Sequence, residues 1–232
     1  MPILSDLVNE FAPHILGSQE GRQPQLLQYE ESLKDLTLIS SHREWIEERM
    51  YPCLYINLNV VTVLESGDIW LSSTPHEAGT KSFKSAFPRL CTWAKVKAFD
   101  KDFLVVNCHL DHVLGETRLE QIKVLIKEVT KINSNKLPLI IMGDFNESPT
   151  GQVRNEVLSK LDLKDPWIDL KIQETSSFHK FDGIDNSHNG GSRIDWILTS
   201  KDITNLNIRL DKSSREGIYP SDHFPVFAEF KV

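Results

Sequence analysis

The run Leu139-Ile140-Ile141-Met142, which follows Pro138 and stops at Gly143, constrains the fold more than any other stretch of the sequence. Four consecutive apolar residues between chain breakers are typical of a strand that is buried on both faces. Upstream, a segment that begins near Gly115 carries a single apolar stripe and predicts an amphipathic helix. The stripe consists of Leu119, Ile122, Leu125, Ile126, Val129 and Ile132.

Strand and helix patterns alternate along the rest of the chain. Helices are predicted over 3–12, after Arg22 and over 151–160, and a polar stretch of weak periodicity covers 171–192. Strands are predicted over 14–19, 53–56, 60–65, 68–73, 90–99, 103–109, 193–199 and 224–230. This alternation, mixed with hairpins, indicates the α/β class with mixed sheets. A length of 232 residues with 40% hydrophobic content fits a single domain over 1–232.

The charge and cysteine content narrow the classes of partner and compartment. A formal net charge of −7 repels polyanions, so long nucleic acid would need a local basic patch such as the stretch from Lys81 to Lys97. The three cysteines, Cys53, Cys91 and Cys108, lie in apolar runs, which suits buried reduced thiols. No export signal or membrane-length apolar run is evident, so we expect a cytoplasmic monomer without membrane contact.

Acidic, amide and histidine residues recur directly after apolar strands, where active sites are often built. Asp144 and Asn146 are two residues apart in extended chain, so their side chains point to the same side. The carboxylate can orient or deprotonate a water, and the amide can donate to a phosphoryl oxygen. A simple turn is the alternative, because Gly, Asp and Asn all favour turns.

Asp222 and His223 are adjacent before the last strand, so their side chains diverge and one can bind a metal while the other faces substrate. A solvated loop or helix cap is the alternative. Asp195 lies inside an otherwise apolar strand, and a buried carboxylate needs a partner. That partner is either a nearby imidazole or, as the alternative, Arg193.

Two further residues complete the candidate site. His109 ends another buried strand, in the segment Asn107-Cys-His-Leu-Asp-His112. Glu20 ends the first strand, and only this position distinguishes it from a surface glutamate.

Seven blocks in order make the chain resemble the endonuclease/exonuclease/phosphatase superfamily, which has the deoxyribonuclease I-like fold. The resemblance covers nearly the whole chain and implies a four-layer sandwich of two packed mixed β-sheets flanked by helices. The blocks are Gly17-Ser-Gln-Glu20, Trp70-Leu-Ser-Ser-Thr-Pro75, Pro88-Arg-Leu-Cys-Thr-Trp93, Asn107-Cys-His-Leu-Asp-His112, Gly143-Asp-Phe-Asn146, Arg193-Ile-Asp-Trp-Ile197 and Ser221-Asp-His223.

The resemblance also implies a role for each matched residue. Glu20 and Asp222 would hold a divalent metal, which the oxygen ligands suggest is Mg²⁺ with Mn²⁺ as a substitute. Asp144 would align or deprotonate the attacking water, and Asn146 would hold it and the phosphate. His223, paired with Asp195, would contact the scissile phosphate. His109 and Arg89 would bind substrate, His109 at a phosphoryl oxygen.

One departure from the family pattern concerns the start of the fold. The family normally begins with a strand ending in a metal-site Asn, upstream of the helix predicted over 3–12, and this sequence has no counterpart. We therefore expect one sheet to lack a strand and the metal to be bound more weakly.

The resemblance fixes the reaction class and leaves the substrate open. A small phosphorylated metabolite such as a sugar phosphate is our first expectation, and a nuclease acting on nucleotides or oligonucleotides is the alternative. A catalytically impaired phosphate-binding or interaction protein is a third possibility. In a fourth, His109, Asp111 and His112 would bind a dinuclear zinc site of metallo-β-lactamase type.

Overall fold

The computed structural model describes residues 2–185, 187 and 191–232, so residues 186 and 188–190 of the polar stretch lie outside it. The helices are α1 (Pro2–Phe11), α2 (Gln23–Ser32), α3 (Gly115–Ile132), α4 (Gln152–Lys160) and α5 (Pro166–Asp169). The strands are β1 (Ile15–Gly21), β2 (Thr37–Leu38), β3 (Tyr51–Ile56), β4 (Thr62–Trp70), β5 (Leu90–Ala98), β6 (Lys101–His109), β7 (Leu139–Asp144), β8 (Leu163–Lys164), β9 (Asp195–Ser200), β10 (Thr204–Leu210) and β11 (Val226–Lys231).

The strands form one large sheet and two smaller ladders. The six-stranded sheet has the order β4-β5-β6-β7-β9-β8 and is mixed, because β6 and β7 pair in parallel while its other neighbours are antiparallel. The smaller ladders, β1-β3-β2 and β10-β11, are antiparallel throughout. The helix α3 connects β6 to β7, as a parallel pair requires a crossover.

Alternation of side chains along the strands separates three hydrophobic cores. Leu104 and Val106 of β6 pack with Ile122 of α3 on the outer face of the six-stranded sheet. Val105 points the other way and packs in the same core as Leu54 of β3. The opposite face of β3 joins a third core with α1 and α2, formed by Val8, Leu26, Tyr51, Cys53 and Tyr55 among others. The order is helix, sheet, sheet, helix, and the predicted α/β fold is confirmed.

The second sheet layer differs from the expected mixed sheet. Among the described residues, β1 is paired only along its β3 side and β11 only along its β10 side. A cavity of about 890 Å³ is lined by residues of both strands, including Ile15, Leu16, Val226 and Ala228. This layer is therefore two separate antiparallel ladders with free edges.

The segments 60–65 and 68–73, predicted as two strands, form the single strand β4 with an irregularity between Val63 and Glu65. Gly67 does not make a turn there, because it pairs with Trp93 of β5 within the ladder; a Cβ at Gly67 would lie 2.9 Å from the indole ring. The three cysteines are free and buried, as predicted. Within the described ranges, no helix is long and apolar enough to cross a membrane.

Candidate active site

Three neighbouring strands of the large sheet bring polar residues into one row at one edge. In the strand register, His109 of β6 is paired with Asp144 of β7, and Asp144 with Asp195 of β9. Residues paired directly across strands lie on the same face of a sheet. The strands β6 and β7 can approach here because Gly143, at φ +143°, has no Cβ; one would lie 2.0 Å from the carbonyl oxygen of Cys108.

The Asp195 carboxylate is paired with His223. The imidazole Nδ1 lies 2.8 Å from Asp195 Oδ2, whereas Arg193 is paired with Asp165 and Glu174, each at 2.8 Å. The predicted alternative of an Asp195–Arg193 ion pair is therefore wrong. Burial disfavours the charged ring, but the hydrogen bond to Asp195 and the nearby carboxylates raise the pKa of His223 to about 9. Burial, together with the charge of Asp144, raises the pKa of Asp195.

His109 connects Asp144 to Arg89. Its Nε2 lies 3.3 Å from Asp144 Oδ2, and Arg89 Nη1 lies 2.9 Å from its Nδ1 and 3.0 Å from its Nε2. Because arginine can only donate, a ring nitrogen of His109 is the acceptor in this contact. Burial acts to raise the pKa of Asp144, but the hydrogen bond from His109 and the charge of His223 outweigh it and lower that pKa. Burial lowers the pKa of Arg89.

Asn146 holds Asp144 in place. Its backbone N–H donates to Asp144 Oδ1 at 2.8 Å, and its Nδ2 donates to Asp144 Oδ2 at 3.2 Å and to the Leu110 carbonyl at 3.1 Å. Its φ of +51° is the left-handed conformation that asparagine tolerates. Both amide hydrogens are engaged here, so the amide supports Asp144, and its contact with the phosphate stays a prediction.

Glu20 and Asp222 line the same cleft as the buried row. Glu20 has a positive φ of +65°, its side chain is 63% exposed, and its Oε1 lies 3.8 Å from His109 Nε2. The cleft has a volume of about 680 Å³. It contains all the sequence-predicted site residues, namely Glu20, Arg89, His109, Asp144, Asn146, Asp195, Asp222 and His223.

The donor set of the cleft fits a hard cation. Within the described residues, the one group of three or more ligand atoms within 4.8 Å of each other is that of Asp144, Asp195 and His223. His223 Nδ1 is already hydrogen-bonded to Asp195 Oδ2, so this group is better described as a hydrogen-bond network. Glu20 and Asp222 supply further carboxylate oxygens in the cleft, and oxygen donors are the ligands that Mg²⁺ and Mn²⁺ prefer.

A segment that the sequence left unassigned, residues 176–179, contacts Asp195 and Asp222. The Ser177 hydroxyl donates to Asp195 Oδ2 at 2.6 Å and accepts from the backbone N–H of Ile194 at 2.9 Å. The backbone N–H of His179 donates to the Asp222 carbonyl at 2.8 Å, and its ring stacks on Phe224 with centroids 3.9 Å apart. No sequence signal marks this segment, because it belongs to the polar stretch without periodicity.

Asp111 has a structural role, which counts against the dinuclear-zinc alternative. Its Oδ1 accepts from the backbone N–H groups of Val113 and Leu114, and its Oδ2 accepts from Ala86 N–H and the Ser85 hydroxyl. Burial opposes the charge, but these hydrogen bonds lower the pKa of Asp111. A carboxylate so fully hydrogen-bonded at a turn is not available as a zinc ligand.

The comparison with family models decides the classification. A model described as the endonuclease/exonuclease/phosphatase family matches residues 3–223. The chain belongs to this family. Nucleases and phosphatases both hydrolyse phosphoester bonds, so membership confirms the reaction class predicted from the sequence.

Relatives of known structure share the fold across the whole chain. A mannosyl-6-phosphatase of Bacteroides thetaiotaomicron is 28% identical, with a TM-score of 0.86 over 100% of this chain and 90% of that one. TDP2 of D. rerio, solved with a single-stranded DNA product, is 17% identical, with a TM-score of 0.74 over 99% of this chain and 90% of that one. The latter likeness shows the fold alone.

One curated protein matches part of the chain. The RNA exonuclease NGL1 of Saccharomyces cerevisiae is 26% identical over 165 residues, which are 56% of this chain. The match spans only 45% of that relative's length, so its activity as a whole protein is not transferred.

Proposed function

We propose that the protein hydrolyses the phosphoester bond of a small phosphorylated sugar, with Mg²⁺ held by Glu20 and Asp222 and Mn²⁺ as a possible substitute. The observation that carries the proposal is the row His109–Asp144–Asp195, extended by His223, within one cleft. The bound cation would supply positive charge at the phosphoryl oxygens. All other steps belong to the protein's own residues.

Asp144 is the acceptor for the proton of the attacking water. Its lowered pKa keeps it ionised at neutral pH, and Asn146 and His109 fix its orientation. As the water oxygen bonds to phosphorus, the bond to the sugar oxygen breaks. That oxygen leaves with the bonding electrons and takes up a proton from solvent, Asp144 returns its proton to solvent, and phosphate keeps the water oxygen.

His223 is the cationic partner of the phosphate. With its pKa raised to about 9, it is protonated at neutral pH and donates from Nδ1 to Asp195. Its Nε2–H is then available to a phosphoryl oxygen, where negative charge builds up in the transition state. Arg89 provides a second positive charge beside His109.

The sugar phosphate is favoured by the cleft and by one relative. A volume of about 680 Å³ is suited to a small ligand, and the solved mannosyl-6-phosphatase shares 28% of its sequence over the whole of this chain. The net charge of −7 disfavours long polyanions. A nuclease is the second candidate, because the 26% identical curated relative is an RNA exonuclease.

A metal-supplemented activity screen tests the proposal. The purified protein is assayed with Mg²⁺ or Mn²⁺ against sugar phosphates, nucleotides, inositol phosphates and short oligonucleotides, with a chelator as the control. We expect phosphate release from sugar phosphates that stops when the metal is removed. Preferred cleavage of oligonucleotides would support the nuclease instead. No turnover of any substrate by folded protein would indicate a phosphate-binding protein and overturn the proposal.

A further inference from the structure

The aromatic ring of Phe87 is half exposed inside the cleft. The residue is 50% exposed, although it is part of the cleft lining, three residues before the start of β5. The hydrolytic mechanism gives it no task. Because apolar surface is stabilised by leaving water, an uncovered ring in a concave site offers a contact surface for the apolar part of a ligand.

The Phe87 ring is anchored to the reactive cluster. The ring of His112 lies beside it with centroids 5.9 Å apart and planes inclined by 18°. Arg89 donates from Nη2 to His112 Nδ1 at 3.2 Å and from Nη1 to His109, and its guanidinium carbon lies 6.0 Å from the Phe87 centroid. The aromatic surface is thus fixed next to Arg89, which would face the phosphate of the substrate.

The charges around the cleft are mixed. Three arginines and six carboxylates line it: Arg22, Arg49, Arg89, Glu20, Glu47, Glu48, Asp144, Asp195 and Asp222. This excess of carboxylates opposes a ligand with several phosphates, which needs a continuous basic track. It suits one phosphate attached to a neutral group whose hydroxyls can both donate and accept.

Arg49 offers a donor that has no partner of its own. Its Nε is buried and makes no hydrogen bond within the described part of the chain. Its neighbour Glu48 is engaged, since Glu48 Oε2 lies 2.7 Å from Arg22 Nη1. A buried N–H without an acceptor is rare in folded proteins. The Arg49 side chain lines the cleft, so the other N–H groups of its guanidinium can donate to a hydroxyl of a ligand there.

The geometry points to a sugar-ring subsite formed by Phe87 and His112, with Arg49 as a donor to the ring hydroxyls. The subsite rests on the proposed function and names the residues that would recognise the organic part of the substrate. The C–H face of a pyranose would cover the exposed part of the Phe87 ring. The phosphate would then lie next to Arg89, at His109 and His223.

Two phosphomonoesters distinguish this subsite from the phosphate site. Mannose 6-phosphate carries a pyranose ring, and glycerol 3-phosphate carries hydroxyls but no ring. We expect Phe87→Ala to lower kcat/KM for mannose 6-phosphate about tenfold, chiefly through KM, and to change that for glycerol 3-phosphate less than about twofold. Phe87→Tyr keeps the ring and should retain most of the activity. The matched control is Phe99→Ala, in the β5–β6 turn, where the residue is 77% exposed and outside the cleft lining.

The outcomes separate failure of the subsite from failure of the proposed function. If the wild type hydrolyses mannose 6-phosphate and Phe87→Ala does so equally well, the subsite is wrong and the proposed function stands. Equal losses on both substrates would also overturn the subsite, because they indicate structural damage. If the wild type hydrolyses neither phosphomonoester but cleaves a dinucleotide, the proposed sugar phosphate substrate is wrong, and the result of Phe87→Ala does not change that conclusion.

Discussion

Ser177 connects the Asp195 carboxylate to the backbone of its own strand. The fully buried hydroxyl donates to Asp195 Oδ2 and accepts from the N–H groups of Ile194 and Asp195. His223 uses the same carboxylate oxygen. The orientation of the His223 imidazole therefore depends on Ser177, which in the proposed mechanism acts as a positioning residue.

Ser177→Ala should damage both stability and activity. The change leaves two buried N–H groups and one carboxylate oxygen short of a partner, so the free energy of unfolding should fall by about 1–3 kcal/mol. Loss of orientation should lower kcat at least about tenfold. Urea unfolding and steady-state kinetics measure the two effects. Ser159→Ala, at an exposed position on α4, is the matched control. An unchanged kcat in folded Ser177→Ala protein would contradict the role.

The limit of sequence reasoning at this scale lies in contacts between distant residues. Asp144, Asp195 and His223 could be located because each lies within or directly next to an apolar strand pattern. Ser177 and His179 could not, since their contacts reach 18 and 43 residues along the chain and their own segment has no pattern. Asn146 was located correctly, but its partners depend on the Leu110 carbonyl and could not be inferred.

At the scale of elements, the close pairing of β6 with β7 depends on one glycine. A Cβ at Gly143 would lie 2.0 Å from the Cys108 carbonyl oxygen, and the φ of +143° disfavours any other residue. Gly115, at the start of α3, has a conventional φ. A Cβ added there would meet only the end of the flexible Arg118 side chain, at 3.5 Å. The two positions make a matched pair.

Gly143→Ala should destabilise the protein by about 3 kcal/mol or more, because β7 must move away from β6 directly before Asp144. Gly115→Ala should be neutral or stabilising by up to about 1 kcal/mol, since alanine loses less backbone entropy on folding. Thermal and urea unfolding of both variants check this. Similar stability of the two variants would contradict the packing described for β7.

A buried ion pair ties the loop after β2 to three strands. Arg43 binds the carboxylate of Asp68 on β4 through Nε and Nη2, at 2.7 and 2.8 Å. It also donates to the Pro52 carbonyl on β3, and Thr92 of β5 donates to Asp68 at 2.8 Å. Burial acts to raise the pKa of Asp68, but the hydrogen bonds and charges of Arg43 and His42 lower it to about 2.

Stability should fall in acid as Asp68 is protonated. The folded pKa of about 2 lies below the ordinary value near 3.9, so the contribution is complete above about pH 4 and is lost as the pH falls through about 2. The shift corresponds to about 2 kcal/mol. The gap in unfolding free energy between wild type and Asp68→Asn should therefore shrink by that amount between pH 5 and pH 2. A constant gap would contradict the ion pair's contribution.

Strands with regular apolar alternation were predictable, and those with an irregularity were not. In β10, Leu206, Ile208 and Leu210 alternate, yet Leu206 is 56% exposed because the register shifts between Asn205 and Asn207. In β4, Gly67 interrupts the apolar pattern in the sequence, but in the structure it lies within the strand, against Trp93 of β5. The two-residue strands β2 and β8 are too short for any periodicity to appear.

At the scale of the whole molecule, the two sheet layers differ in completeness. The strands β6 and β7 have a neighbour on both sides, whereas β1 and β11 each have a free edge along the cavity of about 890 Å³. The resemblance predicted that one strand of the family pattern has no counterpart in this sequence. Which strands would border the resulting gap depends on the pairing of distant segments, so the residues that line the cavity became apparent only in the structure.

Hydrogen exchange should reveal this difference. Amides of β1 and β11 that face the cavity have no strand partner among the residues that the structure describes, and they should exchange far faster than the amides of β6 and β7. Peptide-resolved mass spectrometry or NMR measures the rates. Equally slow exchange in all four strands would mean that the edges of β1 and β11 are protected in solution.

The most direct measurement of the central claim is phosphate release from mannose 6-phosphate with Mg²⁺, by wild type, Asp144→Asn, His223→Ala and the surface control Asp162→Asn. Asp162 is a carboxylate with a 77% exposed side chain, outside the cleft lining. We expect wild type and Asp162→Asn to be equally active, and Asp144→Asn and His223→Ala to lose at least about 100-fold in kcat while remaining folded. Undiminished turnover in folded Asp144→Asn and His223→Ala protein would contradict the assignment of this cleft as the active site.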